Sequence, residues 1–293
     1  MRASGRVRVG LHTLLILICL AAAAAASDMV PLEPAPGAST TPTGINARGD
    51  VVGFFESGGH IHGFIWSKGK YTVIDVPGAQ HTFINGLNDR GDLVGGTETD
   101  GLLYRNGRLT TLRSPNGERL SPRAINNRGD IVGVYTTFIP VFEILGFWLD
   151  AQGTFHANRG AIESTYSGIN DVGDIVGSSG IFLRFGFLID RHGTRIDVSV
   201  GGGVFNGVST LPTGINERGV IVGTERTIVN PDRGFVRNRA GVVEYVEIPG
   251  ASSTHLTAIN ARGDIVGWYR IGAVTYGFLL PITLPSPPRP PSK

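Results

Sequence analysis

The chain is poor in the residues that build the commonest small-protein sites. It has one cysteine, Cys19, which excludes a disulfide framework and any cluster of thiolate metal ligands. Charged residues make up only 17% of its 293 positions, against a usual ~25%. Helical periodicity is missing after the first 26 residues, and the 43 glycines argue against long helices, since each costs about 1 kcal/mol in a helix interior. Catalytic signatures are missing too. There is no Gly-x-Ser-x-Gly, no His-Glu-x-x-His and no Gly-x-x-x-x-Gly-Lys. Disorder is excluded from the other side, because 41% of residues are hydrophobic, enough for a large core.

The N-terminus reads as an export signal. Arg2, Arg6 and Arg8 precede an apolar run from Leu14 to Ala26, and Ala24-Ala25-Ala26 before Ser27 fits the small-residue cleavage rule. Cys19 follows Ile18 rather than a small residue, which disfavours lipidation, and it leaves with the signal. The mature chain then carries 23 basic against 24 acidic residues, so a formal charge of +2 becomes −1. That balance gives no electrostatic case for nucleic acid or anionic lipid as a partner. The expectation is a protein secreted to the periplasm or the medium, cut near Ala26, with no membrane span in the mature chain and a monomeric state.

Beyond the signal the chain repeats. Six segments share Ile/Leu-Asn, then Gly three residues on, then Val-Gly: Asn46 with Gly49, Asn88 with Gly91, Asn126 with Gly129, Asn170 with Gly173, Asn216 with Gly219, and Asn260 with Gly263. The asparagines are spaced by 42, 38, 44, 46 and 44 residues. About ten residues after each Val-Gly comes Gly-Phe, at Gly63, Gly146, Gly186, Gly234 and Gly277, degraded to Gly101-Leu102 in the second unit. A glycine turn and a β-branched or aromatic stretch follow, as in Tyr71-Thr72-Val73-Ile74. Asn-x-x-Gly is a tight turn with a mechanism: the amide bonds backbone two residues on and glycine supplies the positive φ. Each unit therefore reads as four short strands, and ~43 residues is the size of a propeller blade. Adjacent apolar pairs such as Val51-Val52 and Ile131-Val132 fit sheets covered on both faces.

The sixth unit runs into proline after Gly277-Phe278-Leu279-Leu280 and lacks a fourth strand, while Val30–Pro34 is an orphan strand followed by the Pro-Gly-Ala-x-x-Thr found after fourth strands elsewhere. The expectation is an all-β, six-bladed β-propeller over residues 27–284, its last blade closed by the N-terminal strand. Residues 1–26 form the signal, and 285–293 a Pro-rich flexible tail.

His62-Gly63-Phe64 and the repeated Ile-Asn-x-x-Gly-x-Ile-Val-Gly run resemble the bacterial extracellular HAF-repeat family over essentially the whole mature chain. The other units replace the histidine by Leu145, Phe185, Arg233 or Tyr276. The resemblance implies secretion and repeat architecture, and it brings no activity or catalytic residue.

Four of the turns spell Arg-Gly-Asp, at Arg48, Arg90, Arg128 and Arg262. Two turns lose the motif but keep their place, so it reads as repeated turn chemistry rather than an adhesion signal. His60 and His62 share a strand face without a third ligand at metal spacing, and neither metal nor cofactor is expected. In such a blade, first-to-second and third-to-fourth turns open on one face of the ring and are uniform here. The loops on the other face vary widely, and irregular loops on a rigid scaffold are where binding usually lives. Phe138, Phe142, Glu143, Phe205, Trp268 and Tyr269 are the candidates to rim a ligand surface there. The leading functional expectation is an exported, non-catalytic binding module for a glycan, peptide or protein. The alternatives are a glycan hydrolase or lyase using rim carboxylates (Glu56, Glu98, Glu143 and Glu225 all follow second strands), or a passive surface component.

Overall fold

A computed structural model describes residues 29–137, 142–158 and 163–281. They form six four-stranded antiparallel sheets arranged as the blades of a propeller. Blade one comprises Thr40–Ile45, Val51–Ser57, His60–Ser67 and Lys70–Ile74, and the others repeat that order outward from the axis. The proposed signal, the 285–293 tail and Phe138 lie outside the described residues.

The last blade joins Ser253–Ile259, Ile265–Ile271 and Val274–Leu280 to Val30–Leu32, with Val30 opposite Leu279 and Leu32 opposite Gly277. The chain start thus supplies the missing outer strand and no sheet edge is left at the seam. Leu32 is 2% exposed and packs with Val51, Phe64, Val266 and Leu279 from both sides of the join. Thr257 Oγ1 donates to the Pro42 carbonyl at 2.8 Å, fastening blade six to blade one on the inner side.

There is no single central core. Apolar clusters lie between neighbouring blades, as where Val52 of the first blade meets Ile84, Leu87 and Leu93 of the second. The Gly-Phe pair explains itself in this geometry. Phe64, Phe147, Phe187, Phe235 and Phe278 are all essentially buried. The glycine before each faces the next blade: a Cβ on Gly234 would stand 2.7 Å from Leu256, and one on Gly146 would meet the Tyr166 ring at the same distance.

Every inner strand carries a one-residue irregularity in its pairing, as between Pro42 and Gly44 or Pro122 and Ala124. A bulge re-aims one side chain. Here it turns Thr43, Asn85, Arg123, Ser167, Thr213 and Thr257 to the central channel.

Candidate functional site

The two faces of the ring differ in kind. On the turn face, all six repeat asparagines are buried. Asn88 shows the pattern: its Oδ1 accepts the Arg90 and Asp92 amides, and its Nδ2 donates to the Asn126 carbonyl of the next blade at 3.1 Å. Asn126, Asn170 and Asn216 pass the same bond onward, and Asn260 closes it on Asn46 across the seam. The Arg-Gly-Asp turns are part of this lattice. Arg128 bonds Asp130 and Arg262 bonds Asp264 at 2.6 Å, while Arg48 also donates to the Asp89 carbonyl one blade on. Burial alone would raise the Asp92 pKa, but hydrogen bonds from Arg90 and Asn88 and the charges of Arg105 and Arg90 outweigh it and hold the carboxyl below its ordinary value. These residues are spoken for.

The loop face contains a groove of about 700 Å³ at the rim of blade five, between Gly201, Asn206 and Gly207 on one side and Ile248, Ser253 and Thr254 on another. Its floor holds Glu225, 1% exposed, at the end of Ile221–Thr227. The strand pairing puts Glu225 directly opposite Arg233, whose Nε donates to Glu225 Oε1 at 2.8 Å. Tyr245, from the outer strand Val243–Val246, donates its hydroxyl to Glu225 Oε2 at 2.7 Å. Arg233 lies over the Tyr245 ring, 3.5 Å from its centroid, and its Nη1 reaches a second carboxylate, Glu247, at 3.5 Å. Desolvation and the bond to Glu225 push the Tyr245 hydroxyl up to about 12. One guanidinium therefore holds a buried and an exposed carboxylate together, within the ~9.5 Å over which paired carboxylates can work on one bond.

Beside the groove, Asp232 bonds Arg226 at 3.0 Å and stands 3.6 Å from His255 Nε2. His255 is buried, with Nδ1 3.1 Å from Thr224 Oγ1 and its ring stacked on Trp268 at 3.7 Å. Burial lowers its pKa to about 4, against the opposing pull of Asp232, so the imidazole is neutral at pH 7. Hydroxyl, imidazole and carboxylate stand in a row, but Thr224 is 2% exposed and does not line the groove, so it offers no accessible nucleophile.

The sequence-chosen residues do not form one patch. Trp268 belongs to this cluster through His255, and Tyr269 stacks on Tyr276 at 5.4 Å in the same blade. Phe205 lies in the 3-10 turn Gly203–Asn206, whose Asn206 lines the groove. Phe142, 58% exposed, and Glu143 are on blade three, across the ring from blade six. Of the four glutamates, Glu98 is occupied by the Gln80 and His81 amides. Glu225 is the buried one, and its partners Arg233, Tyr245 and Glu247 went unnoticed. The available signal was a charged pair at matching offsets from one hairpin, with Arg233 replacing the family histidine. His62 bonds Asp75 at 3.0 Å, and no group of three metal-ligating side chains is set to hold an ion among the described residues.

No family model matches the chain, and no curated protein matches it in sequence. Solved structures match across most of its length. A gluconolactonase from Xanthomonas campestris is 16% identical with a TM-score of 0.52, covering 84% of this chain and 88% of its own. A luciferin-regenerating enzyme is 12% identical, also at 0.52, covering 87% and 95%. The Aleuria aurantia lectin, solved with α-methyl-L-fucoside, is 9% identical at 0.50, covering 83% and 91%. At such identities the likeness is one of fold. It nonetheless corrects the expectation of a non-catalytic module. That expectation rested on missing motifs, and propellers of this shape and extent include enzymes. Groups gathered from separate strands of one blade leave no short motif to find.

Proposed function

We propose that this chain is a hydrolase of a carbohydrate-derived ester or lactone, working in the blade-five groove, and that it acts outside the cytoplasm as a member of the HAF-repeat group. The observation that carries the reading is Arg233 held between buried Glu225 and exposed Glu247 at a groove large enough for a sugar. The gluconolactonase likeness supports the reaction class, and the fucoside-bound lectin supports sugar as the ligand class.

Glu225 and the Tyr245 ring fix the guanidinium of groove-lining Arg233, and with Nε and Nη1 engaged, Nη2 is assigned as the donor to substrate. Glu247, 64% exposed, is the carboxylate open to water. Glu247 takes a proton from a water that attacks the ester carbonyl carbon. The new C–O bond puts negative charge on the carbonyl oxygen, and Arg233 stabilises it. Collapse breaks the ester C–O bond, and Glu247 returns its proton to the leaving oxygen, giving a hydroxy acid.

The test is acid release from glucono-δ-lactone and other aldonolactones followed by pH-stat. The wild type should exceed the uncatalysed rate, and Glu247→Gln and Arg233→Lys should each lose on the order of 10²-fold in kcat/KM with the fold intact. A wild type that accelerates none of these lactones overturns the proposal.

A further inference from the structure

Among the described residues, the central channel contains one cation, Arg123, with no hydrogen-bond or ion-pair partner. At the bulge position, Thr43, Asn85, Thr213 and Thr257 all spend their side chains on the next blade: each donates to a neighbouring inner-strand carbonyl at 2.7 or 2.8 Å. Arg123 and Ser167, on adjacent blades, break this pattern and make no hydrogen bond or ion pair among the described residues. Arg123 is enclosed by the ring, yet much of its surface faces the lumen. Desolvation depresses its pKa, and the charge of Arg184 pushes the same way. Arg184 is itself incompletely satisfied, with Nη1 buried and partnerless and Nη2 3.7 Å from Glu163. The lumen leaves this charge solvent-accessible but partly desolvated, and nothing in the repeat requires arginine where its equivalents are threonine, asparagine or serine.

We infer that the channel binds one small oxyanion on the Arg123 guanidinium, with the Ser167 hydroxyl beside it. The cavity of about 120 Å³ admits a short carboxylate or a tetrahedral oxyanion and no sugar. Its opening is acidic: Asp89 and Asp171 are both bonded by Asn127 Nδ2 at 2.7 Å, and Glu217 lines the same ring. That rim disfavours dianions, so a monocarboxylate is the preferred occupant over phosphate or sulfate. The site is separate from the blade-five groove and does not depend on the hydrolase reading.

The experiment is thermal unfolding of the full protein in acetate, phosphate or sulfate against chloride at equal ionic strength, for the wild type, Arg123→Met and Arg123→Lys. Acetate should raise the wild-type Tm by on the order of 5 °C at saturating concentration, phosphate and sulfate less. Arg123→Met should melt no lower than wild type in chloride and show no acetate shift, and Arg123→Lys should keep a reduced one. The inference is overturned if no anion moves the wild type beyond chloride, or if Arg123→Met shifts as the wild type does. Should Arg123→Met fail to fold, Arg123→Lys and Ser167→Ala decide it: an unreduced acetate shift in both overturns the site. A larger shift with phosphate than acetate, absent in the variants, keeps the oxyanion site and overturns the monocarboxylate preference.

Discussion

The turn face and the loop face of this ring are made from the same six repeats and spend their polar groups differently. On the turn face five of the six repeat asparagines and the guanidiniums of Arg48, Arg90 and Arg218 bond the next blade, as Asn88 does to Asn126 and Arg218 to Ala261. On the loop face a threonine hydroxyl repeats in three blades, accepting the Val76, Val200 and Ile248 amides, but the charged groups do not repeat. Glu225, Arg233, Tyr245 and His255 each occur once at their place in the repeat. Repetition marks what the ring needs for assembly, and departure from it marks what an individual blade is free to do. Two of these departures, Glu225 and His255, place a carboxylate or a titratable ring where burial is expensive.

The largest expected effect comes from opening the ring. Deleting residues 27–36 removes the strand Val30–Leu32, exposes the edge at Gly277–Leu279 and uncovers the cluster around Leu32. Stability should fall by about 5 kcal/mol or more, a large share of a typical 5–15. An unchanged denaturation midpoint would mean that the seam is not a closure and that the two faces share no common frame.

A smaller effect, confined to the loop face, comes from His255. Its folded pKa of about 4 lies below the ordinary 6.5 because burial disfavours the imidazolium. The stability it contributes is therefore complete above pH 6.5 and lost as pH falls through about 4. Over that window the wild type should lose up to about 3 kcal/mol relative to His255→Phe, which cannot titrate. Parallel stability profiles for the two proteins would show that His255 is not held neutral by the fold.

The architecture was legible because it repeats. Asn-x-x-Gly, Gly-Phe and the orphan Val30 strand each state a local requirement, and six statements of it specify number and closure. Half of the asparagine's task was readable, the bond to backbone two residues on. The bond from Nδ2 to the next blade was not, since it needs blade-to-blade geometry that spacing does not contain. The candidate site was legible only in part. Glu225 stood out as an acid after a second strand, and the groove beside it lies on the loop face. Its partners come from two other strands, and the rule that exposed aromatics mark a site selected Phe142, which lies on blade three, over half-buried Tyr245. Arg123 sits in a position filled elsewhere by threonine, asparagine or serine, a contrast that alignment of the six repeats on one another would have exposed.

On the turn face, Asn170→Ala should cost about 2 kcal/mol. Asn170 is 2% exposed, and its loss leaves the Asp174 amide without an acceptor and removes one of two bonds from the Asn216 carbonyl and the Gly173 amide. Urea unfolding checks it. A cost near zero would remove the claim that these amides fasten the blades.

The smallest effect sharpens the comparison most, because it asks whether the guanidinium half of the turn matters as the amide half does. Arg48 is exposed, with 56% of its side chain accessible, and pairs with Asp50 at 2.9 Å. Exposed pairs contribute a median of about 0–1 kcal/mol. Asp50 is not stranded when Arg48 is removed, since Asn46 Nδ2 still donates to it at 2.9 Å and Ser67 at 2.5 Å. What is lost besides is the bond to the Asp89 carbonyl, itself at the surface and open to water. Arg48→Ala should therefore cost under about 1 kcal/mol by urea unfolding, with the slope unchanged. A cost equal to that of Asn170→Ala would mean that the arginines, not the asparagines, carry the circumferential lattice, and the Arg-Gly-Asp turns would then be the feature that holds this ring shut.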